Sequence, residues 1–127
     1  MRDLVGVGID LVDVDRLAAA MRRRPGLASR VFTEKERSSD ATGARRHQRL
    51  AARFAAKEAT MKALGVGLGA FSLHDVEVLV SDTGAPSLVL SGAALALAER
   101  RGAGTLHVSL THTAASATAV VIAESAT

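Results

Sequence analysis

Cysteine, tryptophan and tyrosine are absent, and Phe32, Phe54 and Phe71 are the whole aromatic complement of 127 residues. Without cysteine there are no disulfide frameworks, thiol nucleophiles or cysteine-ligated zinc, and an intracellular setting is permitted. Nucleic-acid binders commonly stack bases on aromatic rings, and only Phe32 and Phe54 interleave with the basic part of this chain. No apolar run approaches the roughly 20 residues of a membrane span. The opening MRDLVGVGIDLVDVD is interrupted by acids where a secretory leader would continue, so the expected location is cytoplasmic. No GKS/T motif is present, which removes the P-loop. The apolar fraction of 48% with 23% charged residues suits one globular domain over residues 1–127. Its core must come from Val, Leu, Ile and many Ala, which bury little area each, so the domain stands to gain from self-association.

What is present is unevenly charged. A formal net charge of +3 conceals a block, residues 16–53, with eleven bases and three acids, flanked by acidic ends. Two readings of the block stay open: a solvated arginine-rich face, or a surface for an anionic partner. On the first predicted helix Arg16, Arg23 and Arg24 flank Leu17 and Met21, a pattern suited to docking an acidic helix.

Residues 4–12 alternate Val5, Val7, Ile9 and Leu11 against Gly6, Gly8 and Asp10, which predicts a strand. Asp13 or its neighbour can cap a helix through LAAAMRRR that Pro25-Gly26 ends. Thr33 with Glu36 has the capping-box form, so a short helix is expected there, followed by a loop over 38–44. Residues 44–64 form the longest helix signal, closed by Gly65. Then come a glycine-rich connection, strands at 74–81 and 86–90 around an Asp82-Thr83-Gly84 turn, a helix after Ser91, and strands at 106–112 and 116–124. The expected order, β-α-α-α-β-β-α-β-β, is α+β.

On the long helix Leu50, Phe54, Met61 and Leu64 make one stripe, with alanines opposite, so both sides should be packed. Lys57 falls inside the apolar stripe, with Glu58 and Lys62 beside it. These are either a snorkelling lysine and a surface Glu58–Lys62 pair, or the charged groups of a site. Asp10 lies mid-strand beside bare glycines, which leave room for another group to approach; the alternative is a carboxylate bonded to local backbone. If Asp10 and Glu58 met, two hard oxygen ligands would suit Mg²⁺ better than zinc. His107 and His112 point to opposite faces of one strand and make no metal cluster, and His112 shares its face with Val108 and Leu110, as a core histidine would. Gly65-x-Gly67-x-Gly69 follows a helix, so it is no dinucleotide fingerprint; it wraps a phosphate or turns the chain.

Together GVGIDLVDVDRL (6–17), VFTEKE (31–36), RFAAKEATMKALGVGLG (53–69), DVEV with GAPSL (75–88) and HVSLTHT (107–113) resemble the holo-acyl-carrier-protein synthase family, the small 4′-phosphopantetheinyl transferases. The resemblance implies an antiparallel sheet packed against a long central helix. It implies an enzyme that moves the phosphopantetheine arm of coenzyme A to a serine of apo acyl carrier protein, in fatty acid or polyketide biosynthesis, releasing adenosine 3′,5′-bisphosphate. Asp10 and Glu58 would then hold Mg²⁺, with Glu58 as base toward the serine, directly or through water. Lys62 would neutralise the leaving phosphate, and His112 would contact phosphate. Arg53, Gly65, Gly67, Pro86, His112 and Thr113 would border coenzyme A, and Arg16, Arg23 and Arg24 would meet the carrier. The implied assembly is a homotrimer with active sites at subunit interfaces, with neither nucleic acid nor membrane as partner. Two departures stand out: Ala70-Phe71 replaces a basic residue found in some relatives, and Thr113 removes a proton-shuttling role at its position. The competing classes are a non-catalytic basic module for nucleic acid or an acidic protein, and a Mg²⁺-dependent nucleotide hydrolase.

Overall fold

A computed structural model of the chain describes residues 2–38 and 41–127. Strand β1 (Leu4–Asp13) runs into helix α1 (Val14–Arg23), capped by Asp13, whose Oδ1 accepts the Arg16 amide at 3.1 Å. Pro25-Gly26 ends that helix as predicted, yet the chain re-enters a helix at once, α2 (Leu27–Val31). This helix was not expected. Its N-cap is Gly26 at φ 91°, with no side chain to accept an amide, and five residues are too few to show a hydrophobic period. The capping box forms in full: Thr33 Oγ1 accepts the Glu36 amide at 3.2 Å, Glu36 Oε1 accepts the Thr33 amide at 2.9 Å, and α3 (Glu34–Arg37) follows. Ser39 and Asp40, within the predicted loop, lie outside the described residues.

Helix α4 (Gly43–Ala63) is the long helix, and Gly65 at φ 76° turns the chain away after it. The segment predicted to begin a strand at residue 74 instead opens with a 3₁₀ turn (Leu73–Asp75) before β2 (Val76–Val80). That strand pairs antiparallel with β3 (Pro86–Leu90). Helix α5 (Gly92–Arg100), β4 (Ala103–His112) and β5 (Ser116–Ser125) complete the chain. The fold is α+β as expected, with one more helix in the order. An antiparallel sheet β1-β5-β4 packs against α4, and β2-β3 forms a separate two-stranded ribbon. Among the described residues no helix is long and apolar enough to cross a membrane.

The glycine face of β1 meets α4, and the fit is close. A Cβ on Gly6 would stand 1.9 Å from the Ala63 carbonyl oxygen, and one on Gly8 would stand 1.9 Å from that of Ala59. The room that the bare glycines leave is therefore filled by the helix backbone itself. Alanines extend the contact: Ala51, Ala55, Ala56 and Ala59 of α4 lie in one cluster with Ala117, Ala119, Val121 and Ala123 of β5. Small side chains on both surfaces let helix and sheet approach, so dense packing offsets the modest area each methyl buries. On the opposite side of α4, Leu50 packs with Val31 and Phe32, while Met61 and Leu64 pack with Phe71, Val76 and Leu97. The helix is packed on both sides, as its two stripes predict.

The other face of β1 is left outward. Val7, Ile9 and Leu11 are 52, 64 and 71% exposed, and the register puts Ile122 opposite Val7 and Val120 opposite Ile9. An apolar band thus runs across the outer surface of the sheet.

Lys57 does not snorkel; it is fully buried. Its Nζ donates to Glu36 Oε1 at 2.8 Å, to the Leu73 carbonyl at 3.1 Å and to the Val76 carbonyl. Glu36 in turn accepts the Val78 amide at 2.7 Å through Oε2, so the buried pair is bonded on all sides. Burial pushes the Lys57 ammonium below its ordinary value and Glu36 pulls it back up. With every donor used, the pair ties the α3 region and β2 to the middle of α4.

Gly8→Ala should lower unfolding free energy by about 3 kcal/mol or more in urea titrations, because a backbone carbonyl cannot rotate away from the new methyl. Gly67→Ala, where a Cβ would meet nothing within 4 Å, should change it by less than about 0.5 kcal/mol. Equal effects would show that close approach to α4 is not what Gly8 secures.

Candidate active site

Because β1 lies so close to α4, the next residue on its glycine face is carried to the edge of the helix. That residue is Asp10. Lys62, in the last turn of α4, donates to the Ile9 carbonyl at 2.8 Å and to Asp10 Oδ1 at 3.2 Å. Glu58, one turn earlier, has its carboxyl pushed above the ordinary value by burial and then by the Asp10 charge, with Lys62 opposing. Three charged groups from segments distant in sequence therefore share one electrostatic neighbourhood. The surface Glu58–Lys62 pair is not formed; among the described residues the ion-pair partner of Lys62 is Asp10.

A cleft of about 550 Å³ opens beside these carboxylates. Asp10, Asp13 and Glu58 line it together with Arg16, Leu17 and Phe54, so α1 forms its second wall. Among the described residues no group of three or more His, Cys, Asp or Glu is placed to bind a metal. Two carboxylates are nevertheless a donor set that fits Mg²⁺, which keeps several waters and takes one or two carboxylates plus substrate phosphates. After burial, the repulsion from Asp10 is the second cause that raises Glu58, and a cation between the two would relieve that part.

A second cleft of about 430 Å³ lies along the next face of α4. Its walls include Arg45, Arg49, Arg53 and His112, and no carboxylate is among its lining residues. Arg53 is only 9% exposed and, among the described residues, its Nε has no partner; its Nη1 reaches the Arg49 carbonyl at 3.4 Å. Burial, then the like charge of Arg49, push its guanidinium below the usual range, with Glu36 opposing. Arginine stays charged in proteins, so among the described residues this wall is a cationic surface suited to an anion. His112 is no core histidine. It ends β4 exposed, at the mouth of this cleft.

Other residues singled out by sequence fall outside the two clefts. Thr113 closes the β4–β5 turn, its Oγ1 accepting the Ala115 and Ser116 amides at 3.2 and 3.1 Å. Pro86 opens β3 opposite Val80, near Gly84 of the arginine-lined cleft. Gly65 and Gly67 lie beyond the end of α4, and Arg23 and Arg24 stand exposed at the end of α1. In the sequence Arg45 and Arg49 stand out only as members of the basic block. Their spacing was the available signal: with Arg53 they recur every fourth residue and so share one helix face.

The fold thus sets a carboxylate pair and a lysine beside one cleft and three arginines along another, groups whose chemistry suits a phosphorylated compound. The profile of the 4′-phosphopantetheinyl transferase superfamily matches residues 6–120, and the chain belongs to that superfamily. It is similar to a holo-[acyl-carrier-protein] synthase of Frankia alni, 50% identical over 122 residues that cover 96% of this chain and 98% of the relative. A crystal structure of a holo-(acyl-carrier-protein) synthase from Bacillus anthracis, in complex with CoA (3′,5′-ADP), superposes with a TM-score of 0.81. The two are 34% identical, with 97% of this chain and 98% of that one covered. The acyl carrier protein synthase of Mycobacterium tuberculosis is 37% identical at a TM-score of 0.71, covering 97% of this chain and 99% of that one.

The raised Glu58 carboxyl carries a stability consequence. Its folded-state value lies above the unfolded one, so the stability it contributes is complete below the unfolded value and is lost as pH rises through the folded one. Glu58→Gln should therefore unfold at a higher temperature than the native protein near about pH 8, and that advantage should shrink toward about pH 4. Thermal midpoints of the two proteins, measured side by side across pH, check this.

Proposed function

We propose that the chain is a holo-acyl-carrier-protein synthase, transferring the 4′-phosphopantetheine group of coenzyme A to a serine of apo acyl carrier protein. The observation that carries the reading is the convergence of Asp10, Glu58 and Lys62 on one cleft, in a chain of this superfamily. The serine oxygen attacks the phosphorus that bears the pantetheine arm, and the pyrophosphate bond to the adenosine side breaks. Adenosine 3′,5′-bisphosphate leaves with the bonding electron pair. Glu58 takes the serine proton directly or through water, as a carboxylate placed at the cleft can. Lys62 neutralises charge on the departing phosphate. Asp10 and Glu58 would hold Mg²⁺, which when bound supplies charge neutralisation at the pyrophosphate.

The arginine-lined cleft supports a site for the remaining phosphate of coenzyme A, with Arg53 and His112 as contacts and Arg45 and Arg49 adding positive charge. Gly65, Gly67, Pro86 and Thr113 would border the nucleotide. Arg16 lines the carboxylate cleft and would steer an acidic carrier toward it, with Arg23 and Arg24 extending that surface along α1. The two clefts share no lining residue, and the outer face of the sheet is apolar. Both features support self-association, and the assembly proposed is a cytoplasmic homotrimer in which each active site is completed across a subunit boundary.

A non-catalytic basic module for nucleic acid or an acidic protein accounts for the arginines but not for a carboxylate pair beside Lys62. It predicts salt-sensitive binding that ignores coenzyme A.

Apo acyl carrier protein mixed with coenzyme A, Mg²⁺ and this chain should gain the mass of one phosphopantetheine, and no gain should occur with a chelator. Asp10→Ala and Glu58→Ala should each lower the rate at least about a hundredfold with the fold intact. An unchanged carrier mass, across several acidic carriers and with ample Mg²⁺, overturns the assignment. Ile9→Lys, on the outer apolar band, should reduce a three-chain mass to that of one chain in light scattering. A native protein that already scatters as one chain removes the trimer.

A further inference from the structure

Two lysines lie five residues apart on α4 and are held in opposite ways. Lys57 is buried with all three ammonium protons bonded, so it is fixed. The Lys62 side chain is 54% exposed, and its ammonium reaches two acceptors on β1, the Ile9 carbonyl and Asp10 Oδ1. An exposed pair of this kind shifts an equilibrium only a few-fold, so the ammonium can leave at small cost. Asp10 is 19% exposed, and it lines one cleft together with Glu58.

We infer that Lys62 sets the affinity of the Asp10–Glu58 pair for a divalent cation, because ammonium and cation draw on the same Asp10 carboxylate and repel one another. This rests on the reading that Asp10 and Glu58 hold Mg²⁺. Lys62 is in that respect a positioning residue. While it bonds Asp10 it offsets the repulsion between the two carboxylates; with a cation held there the ammonium would give up Asp10 and, repelled by the cation, its hold on β1 through the Ile9 carbonyl. The freed side chain, on the last turn of the helix that carries Glu58, then has its charge available to the phosphates. Cation and lysine thus act in sequence on one carboxylate, and the lysine weakens metal binding in exchange for a charge delivered when the metal is in place.

The test is direct binding of Mn²⁺ to the full chain without coenzyme A, followed by electron paramagnetic resonance. Lys62→Met keeps the stem and removes the charge, and should bind Mn²⁺ about three- to tenfold more tightly than the native protein. Lys62→Arg, which restores the charge, should bind within about twofold of native affinity. Lys62→Gln serves as a second neutral variant should Lys62→Met fail to fold, and Asp10→Asn should lose binding. Unchanged or weaker Mn²⁺ affinity in the neutral variants overturns the competition and leaves the metal site standing. Lys62→Arg binding as tightly as Lys62→Met overturns it too, since charge would then not be the cause. Absence of Mn²⁺ binding by the native protein overturns the metal site itself, and the competition with it.

Discussion

The approach of β1 to α4 is the contact from which the site geometry follows. Gly6 and Gly8 place the strand where no side chain could stand, against the carbonyls of Ala63 and Ala59. With an alanine at either position the strand would have to move off by an ångström or more, since real Cβ atoms do not come within 3.0 Å of a neighbour. Asp10 follows Gly8 on the same face of the strand, so its distance from Glu58 and Lys62 is set by that backbone contact. At this separation Lys62 reaches both a strand carbonyl and the adjacent carboxylate.

Helix α4 serves several surroundings around its circumference. Alanines face the sheet, Leu50, Met61 and Leu64 face the flanking clusters, and Arg49 and Arg53 line an open cleft. Between them the Lys57–Glu36 pair bonds the chain before the helix and the strand after it to one point. Desolvation makes such a pair costly, and it is tolerated because each donor and acceptor is used. The consequence is rigidity: the residues on either side of Lys57, Arg53 and Glu58, sit on a helix held against the sheet and the flanking layers. Lys62, one turn further on, is half exposed, and its bonds go to β1 instead of to the helix's own layers.

Much of this was legible in the chain. The capping box, the Asp13 cap, the two-sided long helix and the turn glycines are local signals, carried by residues a few positions apart, and each appears where it was read. Helix α2 was illegible because glycine caps it and it is a single turn or so long. The buried state of Lys57 was only half legible. Its place in an apolar stripe marked it as unusual, but its partner, Glu36, lies 21 residues away in a helix of four residues. His112 was misjudged by periodicity. It shares a face with Val108 and Leu110, yet it stands at the end of the strand, beyond the reach of the core.

By itself the sequence determined most of the elements, the superfamily and the residue types able to hold a metal or a phosphate. Those properties depend on short-range spacing and on side-chain chemistry. The tertiary structure alone decided which charges meet. Lys62 and Glu58 are suitably spaced for a pair on one helix, yet Lys62 turns to Asp10, 52 positions away, because β1 brings both a carbonyl and a carboxylate within reach. It also decided which face of β1 is inside. Alternation separates Val7, Ile9 and Leu11 from the glycines but cannot say which set meets the helix. Steric contact settles it, since only the glycine face admits a helix backbone so close, and the larger apolar side chains are left on the outer surface.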